Sequence, residues 1–169
     1  MPPADQGASA ANGRYQLIPR VLCFVTSGED VLLITGAPTK KLWAGKLNGL
    51  GGHVERGEGV QAAAEREILE EAGLRVTDLR LRGVICVDSG DEAGVGVFVF
   101  TGRALTRETI ASAEGALEWV PWRQVAERDT VEDLPAILSR LAAQPASAPP
   151  FSATYRYDDA GRLLVAFDD

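Results

Sequence analysis

The chain has few of the residues that usually bind zinc or form disulfides. Its 169 residues include one histidine, two cysteines and one methionine. Cys23 and Cys86 are far apart, and each lies in a short apolar stretch. This pattern indicates small apolar residues of β-strands rather than a disulfide framework. No cluster of His and Cys ligands is present in the sequence to form a zinc site.

Long apolar runs and a basic stripe are also missing. No apolar run reaches the roughly 20 residues that cross a membrane, and a net charge of −7 argues against binding of DNA or RNA polymers. Residues 1–13 lack the hydrophobic region of a signal peptide, and we expect a loose tail there. Residues 14–169 are then expected to form a single domain, with the cytoplasm as the default location.

What the chain does have is a glycine-rich turn followed by a strongly acidic segment. Residues 58–72 are rich in helix formers, and Gly73 supplies a stop. At about 100° per residue, three carboxylates of this predicted helix fall within one arc of about 100°: Glu67, Glu70 and Glu71.

Three ionised carboxylates on one arc repel each other, so they need a compensating cation or some must take up a proton. Hard oxygen ligands at this spacing suit Mg²⁺ or Mn²⁺, with water and phosphate in the remaining positions. For any acidic helix, a solvated face is the alternative interpretation. The glycine turn, Glu58 and Arg66, all at matching offsets, favour the metal site here.

From Gly52 to Leu74 the run reads glycine, five residues, Glu, seven residues, Arg-Glu-aliphatic-any-Glu-Glu-any-Gly-aliphatic. It resembles the Nudix box, the signature of hydrolases that cleave a nucleoside diphosphate linked to another moiety. The resemblance implies an α/β fold, a Nudix-type α/β/α sandwich with a mixed sheet, and metal-assisted hydrolysis of a phosphoanhydride. It also implies that the carbonyl of Gly52 is a metal ligand, together with Glu67, Glu70 and Glu71.

In this family the arginine pairs with the first glutamate and holds the loop against the helix. That role falls on Arg66 and Glu58, with an ordinary surface ion pair as the alternative. Glu67 and Glu71 are the candidate general bases inside the box. Glu114, in a loop outside the box, is a further candidate for a base or an extra ligand, and a solvated loop acid is its alternative.

The segment before the box resembles that of the MutT-type enzymes, which remove 8-oxo-dGTP from the nucleotide pool. An Asn four residues before the box glycine contacts the purine in those enzymes, and Asn48 has that offset; a turn Asn is the alternative. A pair of acids before a helix reads the oxidised base there. Glu132 and Asp133 resemble that pair, and capping of the helix is their alternative role.

Two further residues upstream of the box are candidates for substrate binding. Trp43 has a ring that can stack on a base, and packing of this ring against the core is the alternative. Lys46, with Lys40 and Lys41, is near enough to the box to meet substrate phosphates; solvated loop lysines are the alternative.

We therefore expect a Mg²⁺- or Mn²⁺-dependent enzyme with a small-molecule nucleotide substrate. The resemblance favours hydrolysis of (d)NTPs, including oxidised purines such as 8-oxo-dGTP, to the monophosphate and pyrophosphate. Hydrolysis of ADP-ribose or a dinucleotide polyphosphate is one alternative, and a non-catalytic nucleotide sensor is another. Dimers are common among relatives, so a homodimer stays open, although no residue of the sequence identifies an interface.

Apolar runs and turn signals predict the remaining elements. Strands are expected at residues 21–26, 31–35, 79–87, 95–100 and 117–120, the fourth of them central in the sheet. Helices are expected from Pro121 to about Arg128 and from Leu134 to Ala143, followed by a flexible segment at 144–150 and a terminal hairpin with its turn at 158–161.

Overall fold

The computed structural model describes residues 13–39 and 43–168. The predicted tail lies outside the described residues except for Gly13, and so do Lys40 and Lys41. The described strands are β1 (Gln16–Ser27), β2 (Asp30–Gly36), β3 (Leu47–Asn48), β4 (Val76–Val87), β5 (Ala93–Ala104), β6 (Gly115–Pro121), β7 (Phe151–Tyr157) and β8 (Leu163–Asp168). The described helices are α1 (Val60–Ala72), a 3₁₀-helix (Trp122–Glu127) and α2 (Leu134–Ala143).

All eight strands belong to one mixed sheet. Its order is β3-β2-β1-β5-β4-β7-β8, and β6 pairs with β2. The pairs β1–β5 and β4–β7 are parallel, and the other pairs are antiparallel. The almost wholly apolar β5 lies between β1 and β4, which confirms its predicted central position.

A separate hydrophobic core lies on each face of the sheet. Side chains alternate along β1, so that Phe24 enters one core and Cys23 the other. Helix α1 packs into the Cys23 core through Ala63, Ala64 and Ile68, whereas α2 packs into the Phe24 core through Leu134, Ile137 and Leu138. The predicted α/β/α sandwich is therefore confirmed. None of the described helices combines the length and apolar character that crossing a membrane requires.

The segment 47–53 fills a gap that opens between β1 and β2. These two strands share only three register pairs, next to their turn. Beyond that point β2 pairs with Asn48 of β3, whereas β1 bridges to Leu50 and His53. The glycine-rich turn before α1 is thereby fixed within the sheet and is not left as a surface loop.

Several predicted elements differ in extent from those observed. Strand β1 begins at Gln16, because it pairs with β5 over eleven residues. The short helix after Pro121 is a 3₁₀-helix. Cys23 is buried as an apolar strand residue, but Cys86 is exposed, because the alternation along β4 buries its neighbour Ile85 instead.

The segment 144–150, predicted to be flexible, is anchored by Arg82 of β4. This guanidinium is buried and donates to the carbonyls of Gln144 at 2.9 Å and Pro145 at 3.1 Å. The side-chain amide of Gln144 donates in return to the carbonyl of Arg82 at 3.2 Å. Local sequence carries no sign of this anchor, because Arg82 lies 62 positions before Gln144.

Gly83 of β4 generates a prediction, because it pairs with Phe151 of β7 and the ring of Phe151 lies directly against it. A Cβ on Gly83 would lie 2.2 Å from Cζ of Phe151, whose ring is in the core. We expect Gly83→Ala to lower the free energy of unfolding by about 2 kcal/mol, because the ring must move within a packed core. Urea denaturation followed by circular dichroism measures this change.

Gly96→Ala is the matched control on the neighbouring strand β5. Its added Cβ would meet Leu17 at 3.5 Å, an ordinary contact. We expect its effect to stay within about 0.5 kcal/mol. Equal losses in the two variants would contradict the packing argument.

Candidate active site

Arg66 on α1 connects the glycine turn to the acidic face of the helix. Its Nε and Nη2 donate to the two carboxylate oxygens of Glu58, each at 2.9 Å. Nη2 also donates to the carbonyl of His53 at 3.0 Å. Nη1 donates to Glu67 at 2.9 Å and to Glu70 at 3.1 Å. The structure therefore contains the predicted Glu58–Arg66 pair, which joins the turn to the helix.

These contacts strongly favour the ionised form of Glu58. Its carboxylate accepts the hydrogen bonds from Arg66 and another from the backbone N–H of Glu55 at 3.0 Å. Together they lower the pKa of Glu58 to about 2, with the bond from Arg66 as the largest cause. The same bond and the one that Arg66 donates to Glu67 raise the pKa of Arg66. Both partners are therefore charged at neutral pH.

Gly51 and Gly52 bring the turn into direct contact with the helix. The N–H of Gly51 donates to Oε2 of Glu71 at 2.8 Å, and Glu71 is 7% exposed. A Cβ on Gly52 would lie 2.4 Å from Oε1 of Glu67, and a Cβ on Gly51 would lie 2.1 Å from the carbonyl oxygen of Val21. Larger residues would therefore force the turn away from the carboxylates.

The oxygens at this contact fit a hard divalent cation. Arg66 binds Oε1 of Glu67 and Oε2 of Glu70, and its network leaves the other oxygen of each carboxylate free. The carbonyl of Gly52 accepts one hydrogen bond, from Val21 at 2.9 Å, and has a second lone pair. Such oxygens are the ligands that Mg²⁺ and Mn²⁺ prefer.

The complete ligand set stays a prediction. In the described part of the chain, no three His, Cys, Asp or Glu side chains are arranged so that they could hold a metal ion. Glu70 points to Arg66 with its side chain 59% exposed, and Glu71 is bonded to the backbone of Gly51.

A cavity of about 380 Å³ lies beside Gly51 and Gly52 and extends between β1 and the start of α2. This volume is typical of small-molecule sites. Four of the five residues predicted to contact the substrate line it: Trp43, Asn48, Glu132 and Asp133. Lys46 is exposed and is not one of the lining residues. Apolar side chains complete the wall, among them Leu22, Val87, Val95, Val97 and Leu163.

Asn48 and Trp43 each present a group of the cavity wall that a ligand can contact: the side-chain amide of Asn48 and the ring of Trp43. Oδ1 of Asn48 accepts the N–H of Gly49 at 2.8 Å, so its amide NH₂ is the group left for a ligand. The turn contact and a ligand contact are therefore compatible. Trp43 has a φ of 63°. Because it is 49% exposed, its ring is not packed into the core.

Asp133 is the N-cap residue of α2, but its side chain makes no capping hydrogen bond. Burial raises the pKa of this carboxyl, a hydrogen bond from its own backbone N–H lowers it, and the charge of Glu132 raises it again. A partly buried carboxylate with so few donors gains from a ligand that brings N–H groups. The geometry thus favours ligand contact over helix capping for Asp133.

The cavity wall contains two functional candidates that sequence reasoning missed. Arg20 donates from Nε and from Nη2 to Nε2 of His53, each at 3.1 Å, and has no carboxylate partner among the described residues. Tyr155 is 3% exposed, and its hydroxyl has no hydrogen-bond partner in residues 13–39 and 43–168. Alternation along β1 puts Arg20 on the same face as Leu22, but sequence alone does not reveal that this face borders a cavity.

Glu114 is placed apart from both halves of the site. It is exposed and directly precedes β6, where its carbonyl accepts the N–H of Ala37 at 3.0 Å. It is not among the residues that line the cavity or bind Arg66. Its role as a base or ligand stays a prediction.

Comparison with protein families matches the NUDIX domain to residues 16–141. This range covers the glycine turn, α1, the sheet from β1 to β6 and most of α2.

Several relatives are hydrolases by name. An oxidized purine nucleoside triphosphate hydrolase from Danio rerio is 35% identical over 101 residues, 59% of this chain and 65% of the relative. Its namesake from Mus musculus is 32% identical over 113 residues, 66% of this chain and 71% of the relative. An NAD-capped RNA hydrolase NudC from Pseudomonas syringae pv. syringae is 34% identical over 71 residues, 42% of this chain and 24% of the relative. The chain thus spans less than two thirds of the zebrafish and Pseudomonas proteins.

Solved structures share the fold. A MutT protein from Bacillus halodurans superposes with a TM-score of 0.74 at 25% identity, covering 90% of this chain and 98% of the other. The NUDIX domain of Shewanella oneidensis NrtR, in complex with ADP ribose, superposes with a TM-score of 0.66 at 14% identity. The match covers 84% of this chain and 97% of the other. At that identity the second likeness concerns the fold alone.

The lowered pKa of Glu58 predicts how its contribution to stability depends on pH. Because the pKa falls from 4.5 to about 2 on folding, this carboxylate stabilises the protein above pH 4.5. The contribution is lost as the pH falls from 4.5 towards 2. We expect Glu58→Gln to be less stable than the wild type at pH 7, with a difference that shrinks across this window in urea denaturation.

Glu55→Gln is the control. It keeps the backbone N–H that donates a hydrogen bond to Glu58, and it leaves the contact between Glu58 and Arg66 intact. We expect it to match the wild type across the same window. If the difference in stability between Glu58→Gln and the wild type did not depend on pH, the lowered pKa of Glu58 would not be its cause.

Proposed function

The chain belongs to the Nudix hydrolase family, and we propose that it hydrolyses nucleoside triphosphates with the help of Mg²⁺ or Mn²⁺. The substrates are (d)NTPs, including oxidised purines such as 8-oxo-dGTP, and the products are the monophosphate and pyrophosphate. One observation carries the proposal: the carboxylates of α1 and the cavity meet at Gly51 and Gly52. A nucleotide needs such a junction, because its polyphosphate requires cations and its base an apolar cavity.

The proposed metal ligands are Glu67, Glu70, Glu71 and the carbonyl of Gly52. The chemistry supplied by the bound ion is neutralisation of phosphate oxygens and acidification of water. Arg66 orients Glu67 and Glu70 on one side, and the N–H of Gly51 orients Glu71 on the other. Glu67 is the preferred general base over Glu71, since its Oε2 lies outside the network of Arg66 and Glu71 is buried.

The cavity supplies the groups for the rest of the substrate. Trp43 offers an aromatic face for stacking on the base. The amide of Asn48 donates to the base, and the carboxylate of Asp133 accepts from it. Arg20, which has no carboxylate partner among the described residues, offers its guanidinium to phosphate oxygens in the place that Lys46 was expected to take.

The intact contact network favours catalysis over the sensing of nucleotides. All four glutamates and Arg66 of the box are present, and Arg66 binds three of those glutamates. A binding module has no need of carboxylates held this close to a turn. Hydrolysis of ADP-ribose or a dinucleotide polyphosphate remains the alternative within the enzyme class, and it enters the test as an outcome.

A substrate screen with product identification tests the proposal. The protein is incubated with Mg²⁺ or Mn²⁺ and with dGTP, 8-oxo-dGTP, the other dNTPs, ADP-ribose and diadenosine tetraphosphate. We expect triphosphates to yield monophosphate and pyrophosphate, and EDTA to abolish turnover. Much faster turnover of ADP-ribose would replace the proposed substrate, and nucleotide binding without turnover would replace the enzyme with a sensor.

The contact between Gly52 and Glu67 predicts the effect of a single added methyl group. Gly52→Ala would place a Cβ 2.4 Å from Oε1 of Glu67 and displace this carboxylate. We expect kcat/KM for the best triphosphate to fall by about 10–100-fold, as for other changes that misplace a metal ligand. Steady-state kinetics at saturating Mg²⁺ measures the loss.

Gly59→Ala is the matched control, because an added Cβ there has no atom within 4 Å and the residue has an ordinary extended backbone, with φ −83°. We expect its kcat/KM to stay close to the wild-type value. Wild-type activity in Gly52→Ala would remove the geometric basis of the proposed ligand set.

A further inference from the structure

Tyr155 is a buried polar residue whose hydroxyl has no partner. It lies on β7, is 3% exposed and lines the cavity beside Asn48 and Asp133. Its hydroxyl is shielded from solvent and forms no hydrogen bond with the described part of the chain. Buried tyrosine hydroxyls are usually bonded, and an unbonded one carries a desolvation cost that a phenylalanine would avoid. For the stability of the fold alone, phenylalanine would therefore be the better residue at this position.

The hydroxyl stays protonated over the whole neutral range and can donate a hydrogen bond. Burial raises the pKa of Tyr155 well above its usual value, and the charge of Asp133 raises it further. The neighbouring polar groups define what the cavity offers to a ligand. Asp133 is an acceptor, and the amide of Asn48 is a second donor because its oxygen is bonded to Gly49.

We propose that Tyr155 is a specificity-determining residue, whose hydroxyl donates a hydrogen bond to the carbonyl oxygen of a 2-amino-6-oxopurine in this cavity. The inference rests on the proposed function, since it requires a nucleotide base there. A base of the guanine type has two adjacent N–H donors next to a carbonyl on one edge. The carboxylate of Asp133 matches the two donors, and the hydroxyl of Tyr155 matches the carbonyl.

A 6-aminopurine does not match this pattern. It has an amino group in place of the carbonyl, so the hydroxyl proton of Tyr155 would stay without an acceptor. Sites built around a polar contact reject ligands that leave it unmade, because the buried group remains unpaired. Tyr155 would thus separate 6-oxopurines from 6-aminopurines at the 6-substituent, in addition to Asp133, which loses the N1–H donor of the base in a 6-aminopurine.

The test compares Tyr155→Phe with the wild type on three triphosphates: GTP, ITP and 2,6-diaminopurine riboside triphosphate. ITP keeps the 6-oxo group without the 2-amino group, and the diaminopurine keeps the 2-amino group without the 6-oxo group. For Tyr155→Phe we expect KM to rise about tenfold for GTP and ITP, the effect of one hydrogen bond, with kcat unchanged. KM for the diaminopurine nucleotide should not change, and the melting temperature should stay equal or rise.

Tyr15→Phe is the control for loss of a tyrosine hydroxyl, because Tyr15 is 54% exposed and is not among the residues that line the cavity. It should behave as the wild type on all three nucleotides. An equal rise of KM for the three nucleotides in Tyr155→Phe, or an unchanged ratio between GTP and the diaminopurine nucleotide, would overturn the inference. Either result would make Tyr155 a core residue.

Nucleoside binding separates this inference from the proposed function. Affinities for guanosine and 2,6-diaminopurine riboside, without metal or phosphate, are measured by calorimetry for the wild type and Tyr155→Phe. We expect the wild type to prefer guanosine and the variant to lose that preference about tenfold. If no triphosphate is hydrolysed, the proposed function fails and this measurement still decides the role of Tyr155. No preference for guanosine in the wild type overturns the inference.

Discussion

The guanidinium of Arg66 bridges a cluster of carboxylates that would otherwise repel each other. Glu58, Glu67 and Glu70 all bind it, and the carbonyl of His53 accepts a further hydrogen bond from it. Hydrogen bonds between charged groups are roughly twice as strong as those between neutral groups. This one side chain therefore lets the turn approach an acidic helix, and it leaves one oxygen of Glu67 and one of Glu70 free for a cation.

The same turn belongs to the sheet. Strands β1 and β2 diverge after three register pairs, and the segment 47–53 pairs with both in the gap. Gly51 and Gly52 consequently contact the carboxylates of α1 and also line the cavity that extends towards α2. One stretch of backbone thus joins the two parts of the candidate site. Small residues are required there because the carboxylate of Glu67 and the backbone of Val21 lie within contact distance.

Predictions from sequence succeeded where local spacing determines the outcome. The offset of Arg66 from Glu58 is set by a turn and two helical turns, so their pairing followed from the sequence pattern. Predictions were less complete where partners lie far apart in the chain. Lys46 is close to the box in sequence but exposed, whereas Arg20 lies in the cavity because β1 pairs with the box segment through His53. Arg82 anchors the segment 144–150 across an even longer separation in sequence, 62 positions.

By itself, the sequence determined the family, the acidic helix, most strands and the residues of the box, because these depend on short-range periodicity and fixed offsets. The resemblance grouped Asn48 and Asp133 as substrate contacts, but only the tertiary structure decided that Arg20 and Tyr155 share the cavity with them. Asn48, Asp133 and Tyr155 lie on β3, at the start of α2 and on β7, and strand order and packing bring them together. Burial is likewise a property of the folded chain: the unpaired hydroxyl of Tyr155 and the raised pKa of Asp133 arise from neighbours that no local pattern specifies.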